Sequence, residues 1–183
     1  MKLYDMETKA QTRTEQILKV MPILAWAAII GFTVEAGAIL ISYGGSFGNE
    51  VAAKDLYQGL DLYALRQFNF AYYTQSVSFL VVLLIMKSVI CYLVIKTLSQ
   101  FNLRHPFTMD VASRLEQISY WSFGTWVVTM LSNANTSWLL KKTGVLHGNW
   151  LSGEFIFMVG LVYIVSQVFK RGVEIQSEND LTV

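Results

Sequence analysis

Charge is scarce in this chain, and so are the side chains that most enzyme chemistry uses. Asp, Glu, Lys and Arg together make up 15% of 183 residues, against about 25% in a soluble domain. The formal net charge is +1, with no basic stripe or basic segment. That removes the electrostatic footprint of a nucleic-acid binder, and no direct nucleic-acid contact is expected. Cys91 is the only cysteine. It excludes an intramolecular disulfide, a CxxC redox pair and a thiolate metal site, and in its apolar run it reads as an inert thiol. There are two histidines, His105 and His147. They fall on opposite sides of the topology derived below, so they cannot share one haem or metal ion. No HExxH, GxSxG or P-loop pattern occurs. No enzyme, cofactor or metal is therefore expected.

Apolar residues are abundant. They make up 54% of the chain, and the mean hydropathy is +0.42. Four segments have the roughly 20 residues needed to cross a bilayer. They run over about 20–43, 72–98, 118–140 and 151–169. The third is the least apolar, with Ser122, Thr125, Thr129, Ser132, Asn133, Asn135 and Thr136. The first twenty residues are polar and charged, and the apolar run that follows is too long for a signal-peptide core. The first span is expected to act as its own uncleaved targeting signal.

Lys and Arg placement orients the spans. Lys2, Lys9, Arg13, Lys19, Lys96, Arg104, Arg114, Lys170 and Arg171 fall on one side, and Lys54, Arg66, Lys141 and Lys142 on the other. The excess predicts both termini in the cytoplasm. Tyr43, Tyr72, Tyr73, Trp138 and Trp150 mark the predicted outer span ends, where amphipathic rings concentrate. The expected fold is all-α: one integral membrane domain over 1–183, built as a four-helix bundle. It has an outer loop 44–71, a cytoplasmic loop 99–117 and a cytoplasmic tail 170–183. The loop opens with the turn-rich Gly44–Asn49. Val51, Leu56, Leu60 and Leu65 then recur loosely at helical period, which predicts a short amphipathic helix over 50–67 on the outer surface. Glu7–Lys19 is expected to continue helically into the first span. Pro106 disfavours helix at His105, and Thr108 with Asp110 reads as the cap and first turn of the next helix.

Glu35, Lys87 and Glu154 interrupt the apolar segments. A charge in hydrocarbon costs roughly 2.5–3.5 kcal/mol on insertion scales, so it usually faces a partner or a wet cavity. On the helix rise, Glu35 lies about 12 Å inside the outer boundary, Asn133 about 10 Å and Glu154 about 5 Å. Lys87 lies deeper, and its flexible stem can reach outward. Ala28, Gly31, Glu35, Ala38 and Ser42 form one small or polar stripe, and small residues allow close helix approach in lipid. Ser122, Thr125, Thr129, Ser132 and Thr136 form a hydroxyl stripe. Ser76, Leu80, Leu83, Leu84, Lys87 and Cys91 share a face of the second span. Gly153, Phe157, Gly160 and Ile164 are the expected packing face of the fourth. Together these predict a polar pocket in the outer half of the bundle around Glu35, Lys87, Asn133 and Glu154. Two uses stand open: a structural Glu35–Lys87 ion pair, or a site for a small ligand, ion or proton.

Two segments carry a family resemblance. One is His105-Pro106-Phe107-Thr108 with Val111, Arg114 and Leu115. The other runs from Val168 through Lys170, Arg171, Gly172, Glu174 and Ile175 to Glu178, Asn179, Asp180, Leu181 and Val183. The chain resembles the domain-of-unknown-function family 2975, small four-pass bacterial membrane proteins with no established activity. The resemblance is expected to reach from the first span to the last residue. Members commonly have Asn where this chain has His105. Family members are often encoded beside a small helix-turn-helix regulator. The resemblance therefore implies a non-enzymatic regulatory or interaction protein of the bacterial inner membrane. Its expected partners are the lipid bilayer, a cytoplasmic helix-turn-helix regulator and a second copy in a homo-oligomer. The predicted partner contacts are His105, Pro106, Phe107, Thr108, Arg171, Gly172, Glu174, Glu178, Asn179, Asp180 and Leu181. Small-ligand or ion transport through the pocket, and an accessory role in a larger membrane complex, are the alternatives.

Overall fold

The computed structural model describes residues 2–100, 108–144 and 154–180, with side chains over 18–100, 108–144 and 158–178. Among these there are five α-helices, one 3-10 turn and no strand. In order they are α1 (Lys2–Gly45), the 3-10 turn (Glu50–Lys54), α2 (Tyr63–Phe68), α3 (Phe70–Gln100), α4 (Met109–Thr143) and α5 (Glu154–Asp180). Two stretches, Leu18–Gly45 of α1 and the whole of α3, are long and apolar enough to cross a membrane. At about 1.5 Å per residue, the 28 residues of the first reach about 42 Å. The long helices pack in chain order: α1 on α3, α3 on α4, and α4 on α5.

Local chemistry explains the helix ends. The Thr108 hydroxyl accepts from the Val111 N–H at 3.3 Å, and Asp110 sits in the first turn, as the sequence predicts. Gly144 closes α4 with φ 70°, a left-handed C-cap that suits glycine, and its N–H reaches the Leu140 carbonyl at 2.9 Å. Asn69 serves two helices at once. Its N–H bonds the Leu65 carbonyl at the end of α2, while its side chain accepts from the Ala71 N–H at the start of α3. α1 runs unbroken from Lys2 through Pro22, so the helical approach to the first apolar stretch is present.

The outer loop differs from the expected single amphipathic helix. Gln58 and Gly59 have φ of 47° and 85°, and no helix passes through two successive left-handed residues. The chain turns back there, with the Leu56 N–H on the Leu60 carbonyl and the Leu62 N–H on the Ala53 carbonyl. The result is a folded cap with a 3-10 turn and a short α2. Ala53, Leu56, Leu62 and Leu65 are fully buried in it. They join Ala36 and Ile39 of α1, Tyr73, Val77, Leu80 and Leu84 of α3, and Leu139 of α4 in the main apolar core. Most of the loop's leucines thus face the protein's own interior, while Phe47, Val51 and Phe68 are exposed.

The helix faces agree with the sequence in α3 and α4, agree in part in α1, where Ala28, Glu35, Ala38 and Ser42 of the expected stripe are half-buried, and depart from it in α5. Leu80, Leu83 and Leu84 are buried, as are Ser122, Thr125, Thr129 and Ser132. In α1 the buried line is Ala36 and Ile39, flanked by Phe32 and Tyr43. Gly31 is exposed, and a Cβ placed on it would meet nothing within 4 Å, so it marks no close helix contact. In α5, Val159 and Ser166 are buried, while Gly160 and Ile164 of the expected face are exposed. The remaining expected members, Gly153 and Phe157, lie outside the described side chains.

Candidate functional site

Glu35 and Lys87 do share a cavity, of about 340 Å³, bounded by α1, α3, α4 and the outer loop. α1 contributes Glu35 and Ile39, α3 contributes Leu80, Leu83, Leu84 and Lys87, and α4 contributes Thr129. The turn Tyr57–Leu60 forms the remaining wall. Both charged side chains are half-buried. They form no ion pair and no hydrogen bond with each other. The Lys87 ammonium lies instead over the Phe32 ring, 5.7 Å from its centroid. The expected structural pair is therefore absent, and its two halves line one cavity.

The other two residues of the expected pocket are placed differently. Asn133 is half-buried on α4, one turn beyond Thr129, and does not line the cavity. Glu154 opens α5, and its side chain lies outside the described residues. The Thr125 and Thr129 hydroxyls are spent locally. Each donates to the carbonyl four residues back, Trp121 and Thr125, at 2.8 Å.

Arg66 holds the cap over this cavity. Its side chain is only 9% exposed and pairs with Glu50 at 2.8 Å. It also donates to the Ser46 carbonyl and lies 5.8 Å from the centroid of the Phe70 ring. Its Nε is buried with no hydrogen-bond partner among the described residues. Ser46 is buried too. Its hydroxyl donates to the Tyr43 carbonyl at 2.6 Å and accepts from Tyr73 at 3.2 Å. Hydrogen bonds from Arg66 and Gln67 hold the Glu50 carboxyl below the usual carboxylate range. Sequence reasoning missed this network, because a loop arginine reads as a solvated charge. Tyr73 is fully buried in the same core. Tyr72 and Trp138 meet edge to face at 5.4 Å, with the Lys142 ammonium over both rings.

At the opposite end, Glu116 joins α4 to α5. It pairs with Lys170 at 2.7 Å, accepts from the Tyr120 hydroxyl at 3.2 Å and from Gln167 at 3.5 Å. The Lys170 hydrogen bond holds the Glu116 carboxyl below its ordinary value, and Glu116 in turn raises Lys170. Arg114 donates to Gln100 at 2.7 Å, tying the same end to α3. α5 then continues as helix to Asp180, so most of the tail that carries the family resemblance is helical. Within it, Arg171 pairs with Glu174 at 2.6 Å on an exposed face, and Gly172 is half-buried. Glu178 is exposed. His105, Pro106, Phe107 and Leu181, and the side chains of Asn179 and Asp180, lie outside the described residues. Of the run His105–Thr108, only Thr108 is described, as a helix cap, and of the motif's later residues Val111 is buried and Arg114 bonds Gln100.

These features define an all-helical protein with two helices able to cross a membrane, a partly open cavity beside the folded loop and a helical tail. The model of the family described as a protein of unknown function, DUF2975, matches residues 67–183, more than half of the chain, and the chain belongs to that family. The match takes in α3, α4 and α5 with Lys87 and the tail, but not α1, Glu35 or most of the outer loop. It is shorter than the resemblance predicts, which reaches back to the first span. No curated protein and no solved structure matches the chain.

Proposed function

We propose that this is a four-span, non-enzymatic regulatory protein of the bacterial inner membrane. Both termini are cytoplasmic, and the tail engages a cytoplasmic helix-turn-helix regulator. The membrane part rests on the inverted polarity of α4. Over its central stretch, 119–132, the buried residues are Ser119, Ser122, Thr125, Thr129 and Ser132, while Tyr120, Trp121, Phe123, Met130 and Leu131 are exposed; Val111, Ala112, Ile118 and Leu139 are buried toward its ends. Water would favour the reverse, and hydrocarbon favours this arrangement. It supports α4 as a span although its overall hydropathy is low. The Lys and Arg distribution supports the orientation.

The observation that carries the regulatory part is the unbroken α5. The family's tail is a helical arm rooted by Lys170 on Glu116 and presenting Arg171, Glu174, Ile175 and Glu178 outward. An arm of that kind suits a docking partner better than a catalytic role. Deleting Gly172–Val183 should leave the protein inserted and abolish capture of the regulator encoded beside it. Equal capture by truncated and full-length protein would refute the reading. Impermeant thiol reagents on single-cysteine variants in a Cys91→Ser background test the orientation, and labelling should be confined to 44–71 and 141–150.

A second reading, small-ligand binding in the cavity, is favoured by Glu35 and Lys87 lining one space without pairing. The two readings are compatible, since a regulator with an occupied cavity would be a sensor. The row of consecutive helix pairs leaves its outer flanks unpaired, which a homo-oligomer would cover.

A further inference from the structure

The cavity's chemistry narrows what it would hold. One wall offers a carboxylate, Glu35, and another an ammonium, Lys87. Lys87 has a long flexible stem, so pairing with Glu35 would be the cheapest internal solution for both charges. They do not take it. Ile39, Leu80, Leu83 and Leu84 line the same space and supply apolar surface beside the two charges. At about 340 Å³ the space falls within the range of small-molecule sites, roughly 300–1,000 Å³.

The remaining wall adds an independent observation. Tyr57–Leu60 is a tight turn closed by the Leu60 N–H on the Tyr57 carbonyl at 2.9 Å. Its central residues are both left-handed, and one of them is Gln58 rather than glycine. A non-glycine residue in that region is strained, and such residues persist where surrounding structure imposes them, often at ligand sites. Here the strained turn is the cavity's wall, locked by Asp55 accepting from the Gly59 N–H at 2.9 Å.

We infer that this cavity binds a small zwitterion with an apolar body, its cation on Glu35 and its anion on Lys87. The assignment rests on the second reading above and names its ligand class. An amino acid or dipeptide has this chemistry, and so does a zwitterionic lipid headgroup.

Four probes that share one apolar body separate the charges. Full-length protein in mild detergent is titrated calorimetrically with leucyl-leucine, its amide (cation only), its N-acetyl form (anion only) and the doubly blocked compound. Leucyl-leucine should bind tightest, and each single-charge analogue about tenfold more weakly. Glu35→Gln should bind leucyl-leucine and its N-acetyl form equally, and Lys87→Met should bind leucyl-leucine and its amide equally. A purely structural role for either residue would not produce that pairwise pattern. If either single variant does not fold, the double variant E35K/K87E keeps both charges and should bind leucyl-leucine in reversed orientation, within a few-fold of wild type.

A lipid arm distinguishes the source. Melting in nanodiscs of phosphatidylethanolamine should exceed that in phosphatidylglycerol only if the zwitterion is a headgroup, and the difference should vanish in Glu35→Gln. Either source supports the assignment. Equal binding of the amide and leucyl-leucine to the wild type would overturn the zwitterion while leaving a cation pocket. Binding of no probe, with no lipid difference, would overturn both the zwitterion and the ligand reading.

Discussion

Removing Arg66 should loosen the outer cap more than any other single change in the loop. The substitution Arg66→Ala deletes a charged donor to the buried Ser46 carbonyl, a contact of about 1.5–3 kcal/mol. It also deletes the contact with the Phe70 ring, about 0.5–1 kcal/mol. The Glu50 pair adds little, because Glu50 is 57% exposed. The total is about 2–4 kcal/mol. At about 2–4 °C per kcal/mol for a chain of this length, melting should fall by roughly 4–16 °C. The assay is thermal unfolding of the full-length protein in detergent, read by intrinsic fluorescence. Glu50→Gln is the control and should shift melting much less, since it leaves the Ser46 contact in place. If both variants melt within about a degree of wild type, the cap is not held by Arg66 as a buried donor, and the reasoning fails.

Three further outcomes follow from other parts of the molecule. Gly144→Ala and Gly59→Ala should each cost about 1 kcal/mol in thermal unfolding, because both glycines are left-handed, at φ 70° and 85°. Gly31→Ala and Gly160→Ala should be neutral or stabilising by up to about 1 kcal/mol, since each sits in a helix with open space beside it. The Glu116–Lys170 contact should have a two-sided pH dependence. Glu116 is lowered from its ordinary 4.5, so its contribution is present above that value and is lost as pH falls through the lower folded value. Lys170 is raised from 10.5, so its contribution is complete below that value and is lost as pH rises through the higher folded one. Thermal unfolding of the full-length protein in detergent should therefore occur at lower temperature at the acid end, and Glu116→Gln should shrink that acid loss.

Particular residues show how far sequence reading reaches in this protein. Thr108, Asp110 and the hydroxyl stripe of α4 were legible because capping and helical period are local and α4 alternates polar with apolar faces. The face of α5 was not, and that of α1 only in part, with Glu35 lining the cavity and Gly31 exposed. Those helices are apolar on several sides, so the period carries little directional information, and small residues such as Gly31 and Gly160 drew attention to the wrong flank. Arg66 and Glu116 were missed as network centres because their partners lie far along the chain, at Ser46 and Lys170. The loop helix was over-read because Gln58 gives no sign of a left-handed turn.

By itself the amino-acid sequence determined the all-helical class, the apolar character of α1 and α3, the family, and the presence of two charges inside apolar segments. The helical class and the charges follow from composition and short-range periodicity, and the family from two short motif segments, none of which needs knowledge of neighbours. Only the tertiary structure decided what those charges do to each other. Packing α1 on α3 sets Lys87 over Phe32, and folding the loop back adds a wall to a partly open cavity lined by Glu35 and Lys87. Whether two opposite charges neutralise each other or line an open space depends on side-chain direction at a helix–helix contact. That direction is settled by the whole buried core, not by the spacing of either residue in its own helix.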